Sequence, residues 1–347
     1  MATQSLRQLG AVFLAPTLTF FNHQLLKQST ERPLYFLARE GYWLEQSFQQ
    51  FAHAQGQQRN SHYLLVSRAF LFKIGLLNPE TYPYSLNFKF SGTLYELMRT
   101  RFMLSDVSIN RAFSSKQQQQ KVLLPADLKK VATVLEAKQP VLEPIVSPSH
   151  DAYVSYLEGI DFFKQDILNI VDLGYSGTIQ TLLSIMFHKN TLGHYLIASK
   201  PGTKTLGTVT ATMKGYLQEG PKMGDGYLPL DRSMFLEALL TAPVGQFQDI
   251  RHSPLPHRKF DYYYGRKVDS QHQFHLIEKI MEGALEQLRE FSQQGSEFTA
   301  QEIEQLYTAF VMKKGMLPRN SWPLFTIDDD ITSEGTVNGL DFFGLKI

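Results

Sequence analysis

Three apolar runs in this chain end in residues that can hold an anion. Leu34-Tyr35-Phe36-Leu37 leads to Arg39-Glu40-Gly41, and Tyr63-Leu64-Leu65-Val66 leads to Ser67-Arg68. Ile167-Leu168-Asn169-Ile170-Val171 leads to Asp172-Leu173-Gly174-Tyr175-Ser176-Gly177-Thr178. A guanidinium offers a planar fork of donors to phosphate or carboxylate. A glycine turn that opens a helix offers free backbone N–H groups and a positive helix end to the same ligands. Glu40, Asp172 and Glu237 add carboxylates for general-base work or for accepting hydroxyl protons. Each has a plainer reading. An Arg after a strand is commonly a surface residue or a carboxylate partner, Glu40 can pair with a neighbouring Arg, and glycines can serve only the turn.

The elements that must carry these residues read from periodicity. Each apolar run has strand length, and helical spacing follows at Tyr42–Phe48 and at Ile179, Leu182, Leu183 and Met186. Repeated strand–turn–helix units predict an α/β fold with a mainly parallel sheet. Ligands of such sheets bind at the C-terminal ends of the strands, so Arg39, Glu40, Arg68 and Asp172 are expected to converge. Gly193–Ala198 and Met213–Leu217 predict further strands, and Ser233–Leu240 predicts a helix carrying Glu237. Residues 70–163 interrupt the alternation, with helical stretches at Leu94–Met98 and Leu128–Ala132 and a polar tract at Gln117–Gln120. Pro140, Pro144 and Pro148 are expected to break the chain before Tyr153–Leu157. From Gln271 to Gly315 the pattern is helical, with Ile277, Ile280, Met281, Leu285 and Leu288 on one face. The expected organisation is an α/β core over 1–72 and 164–260. A mostly helical insertion over 73–163 is a candidate acceptor cap, and 261–347 forms a helical C-terminal region.

Composition bounds the function. The 347 residues carry 34 basic and 33 acidic side chains, so no global field favours nucleic acid. The absence of cysteine excludes disulfides, thiol nucleophiles and Cys-based zinc sites, and fits a reducing compartment. Leu9–Leu26 is interrupted by Pro16, Thr17, Asn22 and His23 and is followed by no small-residue cleavage site. It is expected to pack on the core, with no transmembrane segment and a cytoplasmic location.

Several motifs fail on inspection. Gly202-Thr203-Lys204 lacks the adjacent Gly-Lys of a nucleotide P-loop. His272, His275 and Glu278 share a helical spacing that nothing nearby completes, so no metal site is expected. His257–Lys267 interleaves basic and aromatic residues. It reads as a hairpin edge, with a hold on a sugar or phosphate chain as the functional alternative. Asp328-Asp329-Asp330 reads as a solvated turn. At the third strand end, a nucleophile elbow would need glycine where Thr178 stands. A methyltransferase loop would need glycine at Ser176 and an earlier place in the chain.

The layout from Asp172 to Thr178 resembles the phosphoribosyl diphosphate loop of type I phosphoribosyltransferases, in which a strand ends in acids before a Thr-Gly-Gly-Thr-like turn and a helix. Here one Asp stands where that pattern has two adjacent acids, and the loop lies further from the first strand. Taken together, Leu34–Tyr42, Val66–Ala69 and Val171–Gln180 resemble a bacterial family of surface-polysaccharide gene clusters, often fused or adjacent to a haloacid-dehalogenase-type phosphatase. The resemblance spans about residues 5 to 250. It implies a type I phosphoribosyltransferase-like, Rossmann-like core and a glycosyltransferase that places ribofuranosyl 5-phosphate from phosphoribosyl diphosphate on a glycan hydroxyl. By the same resemblance Asp172, Gly174, Tyr175, Ser176, Gly177 and Thr178 hold the ribose and 5-phosphate. Arg39, Gly41, Ser67 and Arg68 meet the diphosphate, with Mg²⁺ screening it, and Glu40, Asp172 or Glu237 supplies the base. The expected setting is capsule or O-antigen assembly, in the cytoplasm or peripheral at the inner membrane, on a free or lipid-linked glycan acceptor. This chain lacks an N-terminal Asp-x-Asp motif, so the phosphatase acting after it would be a separate partner. The rival readings are a non-catalytic glycan or sugar-phosphate binding module, and a hydrolase or nucleotide-sugar transferase on the same sheet.

Overall fold

The computed structural model describes residues 2–29, 31–313, 315–328 and 336–338. It opens with α1 (Ala2–Leu9), a π-helical turn at Gly10–Leu14 and α2 (Ala15–Gln28). β1 (Leu34–Leu37), α3 (Gly41–Ala54) and β2 (Ser61–Leu64) form the first strand–helix–strand unit. A long excursion follows, through α4 (Arg68–Ile74), α5 (Tyr82–Ser85), β3 (Phe90–Thr93), α6 (Leu94–Thr100), α7 (Asp106–Ala112) and α8 (Ser115–Gln118). It ends with β4 (Lys121–Leu124), α9 (Leu128–Ala137) and α10 (Gln139–Gly159). β5 (Ile167–Asp172), α11 (Thr178–Phe187) and β6 (Asn190–Ala198) make the second unit, extended by β7 (Gly202–Leu206) and β8 (Val209–Glu219). After α12 (Leu228–Asp231) and α13 (Met234–Leu240), a hairpin joins β9 (Phe247–His252) to β10 (Phe260–Tyr264). α14 (Asp269–His272), α15 (Phe274–Gln294) and α16 (Ala300–Met312) precede the short pair β11 (Thr326–Asp328) and β12 (Thr336–Asn338).

Six strands form one sheet in the order β2-β1-β5-β6-β8-β7, parallel except for the edge strand β7. β1 is buried along its whole length, as a central strand covered on both faces must be. The chain leaves the middle of the sheet in both directions, from β1 outward to β2 and from β5 outward to β6. Right-handed crossovers therefore place α3 and α11 on opposite faces. The two cores agree. Trp43, Leu44, Phe48 and Phe51 of α3 join α2, α13, α15 and α16 on one face, while Leu182 and Leu183 of α11 join the helices of the excursion on the other. Neither the 73–163 helices nor α15 and α16 have a core of their own. They are the outer layers over the two sheet faces.

One expectation needs correction. Pro140, Pro144 and Pro148 do not break the chain, because all three lie within α10. Pro140 occupies the first turn, where no N–H is missed. Pro144 and Pro148, four residues apart, place both lost hydrogen bonds on one exposed face that is open to solvent. The mostly helical insertion also carries one antiparallel pair, β3 with β4, with Phe90 opposite Leu124 and Thr93 opposite Lys121.

The N-terminal stretch Thr3–Gln28 is long and apolar enough to cross a membrane by length and composition alone, yet 67% of its most apolar window is buried in the fold. It lies against α15 at very short range. A Cβ on Gly10 would overlap the Ile280 carbonyl, and one on Gly283 would overlap the Arg7 carbonyl. Of the remaining motifs, Gly202-Thr203-Lys204 belongs to the exposed edge strand β7. His272 and His275 fall on different helices, and β10 pairs with β9. Asp328 ends a strand, while Asp329 and Asp330 lie outside the described residues.

Candidate functional site

The strand order reverses between β1 and β5, and open α/β sheets bind ligands outside the C-terminal ends of the strands at such a point. β1 delivers Arg39 and Glu40 there, and β5 delivers Asp172 and the turn after it. Phe36 pairs with Val171 in register, so the two strands end nearly level. The β5 turn is tied to its other neighbour, with Ile197 N donating to the Leu173 carbonyl at 3.1 Å and Ser199 N donating to that of Tyr175 at 2.8 Å. Gly174 is required by this approach, because a Cβ there would stand 2.9 Å from the Ile197 oxygen. Gly177, with φ +67°, turns the chain into α11. The Ala38–Arg39 and Gly174–Tyr175 peptide bonds are both cis.

A cavity of about 1100 Å³ opens over these strand ends. Arg39, Glu40, Ser67, Arg68, Asp172, Gly174, Tyr175, Ser176 and Glu237 line it, although they span about 200 residues of sequence. Gly41, Gly177 and Thr178 do not. Gly41 is buried, and a Cβ on it would come within 2.7 Å of the Phe36 carbonyl carbon, so it allows α3 to start hard against β1. Thr178 is half-buried, its hydroxyl 3.2 Å from that of Ser176. Ser67 is committed twice. Its hydroxyl caps α4 by accepting from Phe70 N and donates to the Phe247 carbonyl at 2.6 Å. Arg68, at the first position of α4, is exposed, and its guanidinium lies 5.3 Å over the Phe88 ring.

At the strand ends three carboxylates, Glu40, Asp172 and Glu237, share the cavity with Arg39 and Arg68. Burial, then the charge of Glu40, pushes the Glu237 carboxyl up to about 7, while hydrogen bonds from Tyr175 and Ser233 and the charge of Arg39 pull the other way. The Tyr175 hydroxyl donates to Glu237 Oε1 at 2.9 Å. Asp172 is raised well above the usual carboxylate range, first by burial and then by Glu40. The Leu173 N–H, 2.8 Å from its Oδ1, and Arg68 partly offset this. Arg39 Nε approaches Glu40 Oε1 at 3.9 Å, the long end of an ion pair. Crowded carboxyls that resist ionising together hold protons near neutral pH and can exchange them with a bound hydroxyl.

The far wall comes from the insertion and was not singled out in the sequence. Phe88, Lys89, Phe90, Glu96 and Arg101 line it, together with Leu123–Ala126 at the end of β4. Arg101 fixes this wall by donating to the carbonyls of Ser85, Phe88 and Lys89 at 3.0–3.3 Å while stacking on Phe90. The available signal was Phe88-Lys89-Phe90, the same alternation of aromatic and basic residues noted at 257–267. Among the described residues no three His, Asp or Glu side chains are grouped to hold a metal ion. No protein-family model matches the chain, and no curated protein matches it.

Proposed function

We propose that this chain is a glycosyltransferase that moves ribofuranosyl 5-phosphate from phosphoribosyl diphosphate to a glycan hydroxyl. The observation that carries the reading is the meeting of Arg39 and Arg68 with the Asp172–Ser176 turn in one cavity at the switch point of the sheet. The finer fold assignment, a type I phosphoribosyltransferase-like core, is part of the same proposal. It rests on the strand–turn–helix layout after β5. The sugar 5-phosphate would lie on Ser176 and the turn that opens α11, and Asp172 would accept the ribose hydroxyls. Arg39 and Arg68 would balance the charge that builds on the departing diphosphate.

The reaction forms a bond from the acceptor oxygen to C1 of the ribose as the bond from C1 to the diphosphate oxygen breaks. The acceptor's proton passes to Glu237, held by Tyr175, and the diphosphate leaves. When bound, Mg²⁺ would supply charge screening on the diphosphate. The cavity carboxylates Glu40 and Asp172 could hold it, since Mg²⁺ is commonly held by one or two carboxylates plus substrate phosphates. The proposed setting is capsule or O-antigen assembly, in the cytoplasm or at the inner face of the membrane, with a separate phosphatase acting on the product.

Calorimetric titration with phosphoribosyl diphosphate and Mg²⁺ tests this directly. Saturable binding that Asp172→Asn and Arg68→Ala each weaken by about tenfold is expected, the effect of losing one charge-assisted contact. A folded wild type that binds no donor, or variants that bind it unchanged, would sink the assignment.

A further inference from the structure

The cavity, at about 1100 Å³, stands at the upper limit of sites for single small molecules, which enclose roughly 300–1,000 Å³. Its two halves differ in chemistry. The inner half at the strand ends is lined by the arginines, carboxylates and hydroxyls already assigned to the donor. The outer half is formed by the β3–β4 pair and the residues before it, and is lined by Phe88, Phe90, Leu123 and Pro125 together with Lys89.

The charges on that outer wall are not equivalent. Arg101 spends its N–H groups on backbone carbonyls and its face on Phe90. Glu96 is held in the capping box of α6, accepting from the N–H and hydroxyl of Thr93, which keeps it ionised but occupied. Lys89 is exposed and has no hydrogen-bond or ion-pair partner for its amine among the described residues. Phe88 and Phe90, on either side of it, are fixed by the stacked guanidiniums of Arg68 and Arg101. The wall therefore offers two aromatic side chains held by guanidiniums and, in the residue between them in sequence, a cation with no partner among the described residues.

We propose that this outer half is the acceptor subsite and that it takes an anionic saccharide, with the apolar face of the ring against the Phe88–Phe90 wall and its anionic group on Lys89. Aromatic faces match the C–H side of a pyranose, and an ammonium is a point charge that accepts a carboxylate or a phosphate alike. The inference rests on the glycosyltransferase reading for its word acceptor, but the subsite itself does not depend on the donor.

Saturation-transfer NMR on the full chain separates the two. The probes are methyl glucoside, methyl glucuronoside and methyl glucoside 6-phosphate, each with and without phosphoribosyl diphosphate. The expected result is transfer to the ring protons of an anionic probe about three- to fivefold above the neutral one, the range of one exposed ion pair. Lys89→Gln should reduce that ratio to about one and leave donor affinity within twofold. Phe90→Leu should lower transfer to anionic and neutral rings together. The glucuronoside and 6-phosphate arms tell a carboxylate from a phosphate. Equal response to neutral and anionic probes, or discrimination that survives Lys89→Gln in a folded variant, would overturn the subsite. Lys89-dependent discrimination in a protein that binds no phosphoribosyl diphosphate would keep the subsite and discard the donor.

Discussion

Glu237 is the side chain on which the chemistry and the stability of this protein pull in opposite directions. Its carboxyl is raised to about 7, so between pH 4.5 and 7 the folded chain keeps a proton that the unfolded chain has released. Its contribution to stability is therefore full below about 4.5 and is lost as pH rises through about 7. Glu237→Gln removes that loss while keeping an oxygen to accept from Tyr175. It should raise the unfolding free energy above pH 7 by on the order of 2 kcal/mol in chemical denaturation, and by little near pH 5. The same variant should lose at least about 100-fold in turnover if Glu237 takes the acceptor proton, and the wild-type rate should climb with pH through about 7. A variant that is neither more stable at pH 8 nor slower would remove Glu237 from both roles. At this scale much of the inner site was legible in the sequence. Arg39, Glu40, Arg68 and Asp172 each follow an apolar run, and parallel strands bring their C-terminal ends to one edge. Lys89 was not legible, because its place depends on a hairpin whose strands are separated by 27 residues of loop and helix.

The β5–α11 turn is the element that most constrains the site. Gly177→Ala must adopt φ near +67° and should cost about 1–2 kcal/mol of stability. Gly174→Ala instead pushes the turn away from Ile197, so donor affinity should fall by more than stability does when both are measured on one preparation. Equal losses would mean that the turn is only a connection. α10 offers the opposite experiment. Pro148→Ala returns a backbone donor to a helix that tolerates its absence only by exposure. It should stabilise the protein by about 1–2 kcal/mol in denaturant titration. The local rule that reads prolines as breaks holds no information about the apolar face of Leu142, Val146, Tyr153 and Leu157 that keeps α10 whole. Periodicity within one element was readable, whereas the support one element receives from another was not.

Across the whole molecule, the two ends of the described chain close one face of the sheet together. α1 carries Arg7 beside Glu282 and Glu286 of α15, at 3.0 and 2.5 Å, but these groups are substantially exposed. Arg7→Ala should change stability by under about 1 kcal/mol. Gly283→Ala, which forces a methyl group into the Arg7 carbonyl, should cost about 3 kcal/mol, and the difference between the two melting curves measures packing against charge. That close helix contact also sets an order of events during synthesis. α2 leaves the ribosome about 250 residues ahead of α15. At about 5–20 residues per second its apolar side waits roughly 12 to 50 s for the surface that covers it. Through that interval a stretch apolar enough to pass for a membrane span has α3 beside it but lacks α15 and α16. The nascent chain therefore meets chaperones and the lipid surface with its most insertion-prone segment only partly covered, and the cover is completed as its last long helices emerge.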